Sequence, residues 1–306
     1  MGVLLLFNGG FILLSSIVSL IFNDGVTTEI FSAGVTVLIF GLILIFSTKN
    51  HEKQIQRREG YLIVTFGWLL MIFSGMLPYL FSGTISELSY AFFETTSGYT
   101  ATGSTILKDV ESLPKSIIFW RSTTHWIGGM GIIVLTIAIL PLLGVGGMQL
   151  FSAEAPGPNS DKLHPRITDT AKRLWYIYVG FTLTETLLLN FAGMSFFDAI
   201  NNSMSTIATG GFSTKNASIA YWNYNPIIQY IIIFFMFISG ANFVLSYFAF
   251  TGRIQKIFRD EEFKTYFIFI LISFIIVGFV LFNSVDLSKS SFEHPQVYGK
   301  LESSIR

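Results

Sequence analysis

The chain has 306 residues, of which 51% are hydrophobic and only 12% are charged, and its mean hydropathy is +0.60. This is too little charge to coat a water-exposed surface and more apolar residues than one core can bury, which predicts a membrane protein. Lys plus Arg and Asp plus Glu balance at 19 each, so the charge gives no support for a nucleic-acid partner. The chain has no cysteine, which excludes disulfides, thiolate catalysis and cysteine-ligated metals.

Seven apolar runs are long enough to cross a bilayer as helices, because a hydrocarbon core of about 30 Å needs roughly 20 residues. They cover residues 3–22, 30–46, 61–81, 117–143, 174–191, 226–250 and 263–282. The predicted fold class is therefore an all-α polytopic membrane protein with about seven transmembrane helices. The first run lacks a basic flank and a cleavage site, which favours a membrane anchor over a cleaved signal.

The basic residues predict the orientation of these helices. The linkers after the second, fourth and sixth spans hold Lys49, Lys53, Arg57 and Arg58, then Lys162, Arg166, Lys172 and Arg173, then Arg253, Lys256, Arg259 and Lys264. An even number of crossings separates these linkers, so they share one face. The positive-inside rule makes that face cytoplasmic, together with the N-terminus.

The two outer connections, 82–116 and 192–225, each begin with a piece too short to cross a bilayer. Residues 86–96 would span about 16 Å as a helix, which is half the membrane. Each piece opens with a capping pair, Thr84 with Glu87 and Ser195 with Asp198, whose acidic member suits a helix N-terminus. We therefore expect two half-helices that enter the membrane and turn back as re-entrant loops.

Both half-helices lead into Gly- and Thr-rich peptide, at 97–104 and 206–213, and each peptide contains the sequence Ala-Thr-Gly, at 101–103 and at 208–210. This indicates an internal repeat of span, half-helix, loop and span. The predicted organisation is a helix pair, a first pore repeat, a cytoplasmic linker, a second pore repeat, and the first helix of an incomplete third repeat with its outer tail. Their bounds are 1–50, 60–150, 151–172, 173–251 and 262–306.

Such loops suit a monovalent cation. Non-helical backbone at membrane depth leaves carbonyls unpaired, and a cation can satisfy them, since carbonyl and threonine oxygens replace its hydration shell. The loops contain no carboxylate, whereas proton and divalent-ion paths usually use them. The alternative is that both loops are ordinary extracellular turns, because Gly, Ser and Thr are common turn residues.

Longer motifs resemble a known family. Residues 119–135 read FWRSTTHWIGGMGIIVL, residues 139–150 read ILPLLGVGGMQL, and AEAPGP and IATGGFS occur at 153–158 and 207–213. Over nearly its whole length the chain resembles the TrkH branch of the Trk/Ktr/HKT potassium transporters. The resemblance implies a potassium-translocating, non-enzymatic subunit of the bacterial inner membrane, built on four pore loops with a glycine in each filter.

By that resemblance the potassium contacts, mainly backbone carbonyls, map to two quartets of residues. These are Thr100, Ala101, Thr102 and Gly103, then Ile207, Ala208, Thr209 and Gly210. The resemblance also implies a homodimer and a cytoplasmic nucleotide-binding regulatory subunit of TrkA-like type, with potassium as substrate and no bound cofactor. Because two loops cannot encircle a cation, we expect a truncated chain or, as the alternative, a half-pore that a second chain completes.

Several other residues are candidates for a supporting role. Glu94 is expected to pair with Arg121 behind the first loop, Glu185 to face other helices from mid-span, and Asn242 to hydrogen-bond between helices. His125 is expected to pack as a polar side chain and not to bind a metal, because the four histidines do not have the sequence spacing of metal ligands. A membrane enzyme and a non-conducting scaffold or receptor subunit are the alternatives from other classes.

Overall fold

The computed structural model describes residues 1–48, 57–129, 131, 167–241 and 243–284, and over these residues every regular element is helical. The predicted all-helical fold class is thereby confirmed. The α-helices are α1 (Gly2–Phe22), α2 (Thr27–Ser47), α3 (Arg57–Gly75), α4 (Leu77–Phe81), α5 (Leu88–Tyr99), α6 (Lys115–Gly129), α7 (Ile167–Phe191), α8 (Phe196–Ile207), α9 (Pro226–Gly240), α10 (Phe243–Phe250), α11 (Ile254–Arg259) and α12 (Glu261–Ser284).

Four stretches of the described chain are long and apolar enough to cross a membrane. They are Gly2–Phe22, Thr27–Ser47, Leu62–Phe81 and Glu261–Val280, and the shorter Pro226–Gly240 is also apolar. Large apolar side chains on these helices point outward; Phe46, for example, is 69% exposed. A bilayer covers apolar surface of this extent.

Two of the predicted spans are interrupted. The span at 61–81 breaks at Met76, because Pro78 cannot donate a backbone hydrogen bond and Tyr79 N donates to Met76 O instead of Gly75 O. The carbonyl of Gly75 is freed by this break and accepts from Trp120 Nε1 at 2.9 Å. The span predicted at 226–250 is likewise two helices, α9 and α10.

The chain divides into two compact units, Met1–Gly240 and Ala241–Arg306. In the first unit α6 is central, since it packs against α1, α5 and α8. In the second unit α10, α11 and α12 follow one another, and α12 exposes most of its side chains. The domain bounds drawn from the sequence remain a prediction.

Asp24, in the turn between α1 and α2, ties the N-terminal helix pair to α6. Its Oδ2 accepts from the backbone N–H and the hydroxyl of Ser116, at 2.9 and 2.7 Å, so it caps the start of α6 from outside that helix. Its Oδ1 accepts from Ser19. Burial raises the pKa of Asp24, but these hydrogen bonds outweigh burial and hold the pKa below its ordinary value of 3.8.

Candidate functional site

Two short helices, α5 and α8, lie where the half-helices were predicted, each of 12 residues and therefore about 18 Å long; that they enter the membrane and turn back stays a prediction. The capping pair predicted for α8 is confirmed, because Ser195 Oγ accepts from the backbone N–H of Asp198 at 3.1 Å. The pair predicted for α5 is wrong. That helix begins after Glu87 without a side-chain cap, and the Thr84 hydroxyl donates to the carbonyl of Tyr79 instead.

Both short helices end in the same hydrogen-bonded motif. At the end of α5, Ala101 N donates to Gly98 O and Thr102 N to Ser97 O; at the end of α8, Thr209 N donates to Thr206 O and Gly210 N to Ser205 O. This pair of bonds defines a Schellman motif, which requires a left-handed residue directly after the helix cap. That residue is Ala101 with φ 51° in the first loop and Thr209 with φ 57° in the second.

The motif also determines which residues of the two loops are equivalent. It makes Ala101 equivalent to Thr209, and we call this alignment of the two loops the backbone register. In the backbone register Gly103 is equivalent to Gly211, and both have a positive φ, of 76° and 91°. The two Ala-Thr-Gly sequences instead pair Gly103 with Gly210, one position out of the backbone register. By backbone geometry Gly211, which the sequence prediction missed, is the counterpart of Gly103. The doubled glycine at 210–211 was the signal for this alternative.

The two loops meet backbone to backbone. A Cβ at Gly103 would lie closer than 3.0 Å to the carbonyl oxygen of Gly210, and 3.8 Å from the Cα of Gly211. Only a residue without a side chain permits this approach. The eight residues predicted as potassium contacts thus belong to two adjoining loops; as ligands they remain a prediction.

Helix α6 contacts the ends of both short helices, and its counterpart α9 contacts the end of α8. A Cβ at Gly128 would overlap the carbonyl oxygen of Tyr99, the last residue of α5, and a Cβ at Gly129 would overlap Ala208 at the end of α8. In the second repeat, Ser239 Oγ of α9 lies 3.2 Å from the carbonyl oxygen of Thr206, and its hydroxyl has a shorter bond, of 2.7 Å, to the carbonyl of Phe235 within α9. Gly128 and Gly129 therefore allow α6 to approach the ends of both short helices closely.

The predicted contact between Glu94 and Arg121 is an ion pair, with Arg121 Nε and Glu94 Oε1 2.9 Å apart and both side chains buried. The carboxylate also accepts from the Thr105 hydroxyl and from the backbone N–H of Ile106, at 2.9 and 3.1 Å. Thr105 and Ile106 directly follow the first loop. The pair therefore joins α5, α6 and the chain that leaves the loop, and its buried charges compensate each other.

Arg121 and His125 of α6 both reach the second loop through Phe212. The Arg121 guanidinium carbon lies 4.1 Å from the ring centroid of Phe212, and the His125 ring stacks on Phe212 at 3.9 Å. His125 Nδ1 is also 3.1 Å from Ser205 Oγ. A polar packing role was predicted for His125, and these contacts match it; α6 forms a wall shared by both loops.

A second link between the repeats, which the sequence did not reveal, lies beyond the loops. Asn216 Oδ1 accepts from the backbone N–H of Val110 at 2.8 Å, and Asn216 Nδ2 donates to Asp109 Oδ1 at 2.8 Å. Asn216 N donates to Glu111 Oε1 at 3.1 Å. The hydrogen bond from Asn216 lowers the pKa of Asp109, which is otherwise exposed. The two segments that leave the loops are thus clasped together.

Two predicted supporting residues do not enter these contacts. Glu185 is fully buried in α7, and within the described ranges neither carboxylate oxygen has a hydrogen-bond partner. Thr206 is its polar neighbour on α8, and the Thr206 hydroxyl donates to Asn202 O. Asn242 lies outside the described residues. Within the described part of the chain, no group of three His, Asp or Glu side chains is placed to hold a metal ion.

The chain is similar to known cation transport proteins. The family model TrkH, described as a cation transport protein, matches residues 26–292. The Trk system potassium uptake protein TrkH of Salmonella typhimurium is 46% identical over 268 residues, which is 87% of this chain and 55% of that protein. The protein of the same name from Escherichia coli is 45% identical over the same shares.

A solved structure also matches the fold. The crystal structure of the potassium transporter TrkH from Vibrio parahaemolyticus has a TM-score of 0.78 and 35% identity to this chain, over 99% of this chain and 61% of that one. The chain therefore spans little more than half the length of the curated relatives it matches.

Proposed function

We propose, from the premise that this chain belongs to the TrkH family of cation transport proteins, that it forms part of a potassium-uptake pathway through a membrane. The ion moves down its electrochemical gradient, and the protein compensates its desolvation without breaking a bond. The relatives from Salmonella and E. coli are named potassium uptake proteins, which supports potassium as the transported ion.

The observation that carries the proposal is the contact between the two loops at Gly103 and Gly210. Two non-helical segments without a carboxylate meet there, each after a helix that ends in the same motif. The C-terminal end of a helix carries partial negative charge, which favours a cation next to it. Backbone carbonyls at that point can replace the water around a potassium ion.

In the first loop the ligands are the carbonyls of residues 100–103. In the second loop we propose the carbonyls of residues 208–211 in place of the 207–210 predicted from sequence, because the backbone register makes Gly211 the counterpart of Gly103. Arg121 and Glu94 act behind this filter as a brace and do not bind the ion, because both are occupied by each other and by the chain after the first loop.

The wider assembly is proposed from the family resemblance. Two loops form half of a four-loop ring, so the other half comes from further chain or from a second copy. The membrane subunits pair as a homodimer in the bacterial inner membrane, with the N-terminus and basic linkers cytoplasmic. A TrkA-like nucleotide-binding subunit docks on that face, to which Lys256 and Arg259 in α11 contribute charge.

Growth of a potassium-uptake-deficient bacterium at low potassium tests the proposal. The wild-type sequence, expressed together with the half that completes the four-loop ring, is expected to restore growth, whereas the same assembly with Gly103→Leu or Gly211→Leu is not. Gly180→Leu is the matched control, because Gly180 lies in α7 with no atom within 4 Å of its Cβ position. All variants are compared at equal amounts in the membrane.

Two results would contradict the proposal. Restored growth with both loop variants would favour a non-conducting scaffold subunit, for which the loops are irrelevant. Failure of the wild-type sequence to restore growth when the completed four-loop assembly is present in the membrane would contradict a role in uptake.

A further inference from the structure

A buried hydrogen-bond chain connects the N-terminal helix α1 to the end of the first short helix. Asn8 of α1 is fully buried; its Nδ2 donates to Ser74 Oγ at 2.7 Å, and its Oδ1 accepts from the hydroxyl of Tyr99 at 2.6 Å. Ser74 in turn donates to the carbonyl of Met71 at 3.1 Å. These hydrogen bonds therefore tie α1 to α3 and to α5, and each has an ordinary length.

Tyr99 connects these hydrogen bonds to the first loop. It is the last residue of α5, and Thr100, the first predicted potassium contact, follows it directly. Its ring packs against Gly75, where a Cβ would lie closer than 3.0 Å to the ring, and its own carbonyl packs against Gly128. Since both the side chain and the carbonyl are held, Tyr99 cannot rotate without moving the backbone of the loop.

The second loop has an apolar residue at the position of Tyr99. In the backbone register the counterpart of Tyr99 is Ile207, the last residue of α8, which is buried and apolar. Both helices end in the same Schellman motif, so that motif forms without a tyrosine hydroxyl. The bond to Asn8 is therefore an addition to the first loop, supplied by a helix outside both repeats.

We propose that Asn8 and Tyr99 are positioning residues, through which the N-terminal helix sets the geometry of the first filter loop and thereby the preference for potassium over sodium. This inference rests on the proposed function of the loops. Its physical basis is that selectivity in a carbonyl filter depends on where the carbonyls stand, and that a buried hydroxyl bonded at 2.6 Å resists displacement.

The test uses substitutions that remove the hydrogen bond between Asn8 and Tyr99. Tyr99→Phe removes the hydroxyl alone, and Asn8→Ala removes its acceptor. Tyr79→Phe is the matched control, because Tyr79 is equally buried and its hydroxyl has no hydrogen-bond partner among the described residues. Each variant is expressed in potassium-uptake-deficient bacteria, and initial potassium uptake is measured against increasing sodium.

We expect Tyr99→Phe and Asn8→Ala each to lower the preference for potassium over sodium about fivefold to tenfold, the effect of losing one hydrogen bond. Tyr79→Phe should keep the wild-type preference. The double variant of Asn8 and Tyr99 should be no worse than the poorer single variant, because Asn8→Ala already removes the bond that Tyr99→Phe removes.

The outcomes separate this inference from the function on which it rests. Wild-type preference in Tyr99→Phe and Asn8→Ala, with only a lower melting temperature, would overturn the inference and leave the uptake function standing. Absence of uptake in the wild type would count against the function instead. The potassium-induced rise in melting temperature of the purified protein then decides the inference: a rise equal in wild type, Tyr99→Phe and Tyr79→Phe overturns it, and a rise reduced only in Tyr99→Phe supports it.

Discussion

Replacing Gly103 by alanine is expected to damage the protein in two separable ways. The residue has φ +76°, and a left-handed backbone costs a residue with a Cβ about 1–2 kcal/mol. The added methyl would also lie within 3.0 Å of the Gly210 carbonyl oxygen, and overpacking of a tight contact costs about 1–3 kcal/mol more. We therefore expect Gly103→Ala to lose about 2–5 kcal/mol of stability in total.

The contact partner decides the functional effect. The atom that must give way is a main-chain oxygen of the neighbouring loop, which cannot turn aside like a side chain, so the substitution displaces both loops. Because about 1.4 kcal/mol changes an equilibrium tenfold, a strain of this size is expected to reduce potassium uptake more than tenfold. Initial uptake rates and thermal unfolding of the purified protein measure the two effects.

Two other glycines separate the two contributions. Gly83 has φ +68° and Gly211 has φ +91°, and neither has an atom within 4 Å of its Cβ position. Alanine at either position should cost only the backbone strain, about 1–2 kcal/mol. The reasoning is refuted if Gly103→Ala matches Gly83→Ala in both melting temperature and uptake.

Three further predictions concern side chains. Glu94→Gln leaves Arg121 charged and buried and should cost about 3–5 kcal/mol in thermal unfolding, whereas Glu111→Gln at the surface should cost about 1 kcal/mol or less. Asp24→Ala removes the cap of α6 and should cost about 0.5–2 kcal/mol. Since the folded pKa of Asp24 is lowered, its stabilisation is complete above its ordinary pKa and is lost as the pH falls through the lowered value. Asn216→Ala should weaken potassium uptake, because it releases the two segments beyond the loops from each other. The measurement is the initial rate of potassium uptake at equal amounts of protein in the membrane.

Each of these has a result that contradicts it. Equal destabilisation by the Glu94 and Glu111 substitutions would show that burial does not decide the strength of the first pair. An Asp24→Ala protein that keeps the acid sensitivity of the wild type would remove Asp24 as its source. Unchanged uptake in Asn216→Ala would mean that the hydrogen bonds of Asn216 do not hold the loops in place.

The pairing of Glu94 with Arg121 is a contact that could be predicted from the sequence. Both residues fall in segments that apolar composition marks as buried, and a buried charge needs a partner of opposite sign. The residues are 27 positions apart and flank a single loop, so few other pairings compete. By contrast, the capping pair Thr84 and Glu87 follows an equally good local pattern and was wrong, because the Thr84 hydroxyl has nearer acceptors in the turn after α4.

The register of the repeat could not be read from letters alone. Because glycine occurs at both 210 and 211, an alignment of the two sequences can pair Gly103 with Gly210, whereas the backbone conformation pairs Gly103 with Gly211. The hydrogen bonds that end α5 and α8 decide between them, and these bonds depend on where each helix stops. Similarly, the contacts of Asn8 with Tyr99 and of Asn216 with Val110 join residues 91 and 106 positions apart, for which no periodic pattern exists.

The sequence by itself determined that this is a helical membrane protein with two Gly- and Thr-rich loops after short helices, because the length of an apolar run and the chemistry of glycine are local properties. Tertiary packing was needed to establish that the two loops touch and that α1 is bonded to Tyr99. These are contacts between distant segments, and they form only where helix packing brings a missing side chain against a carbonyl or a buried hydroxyl against an amide.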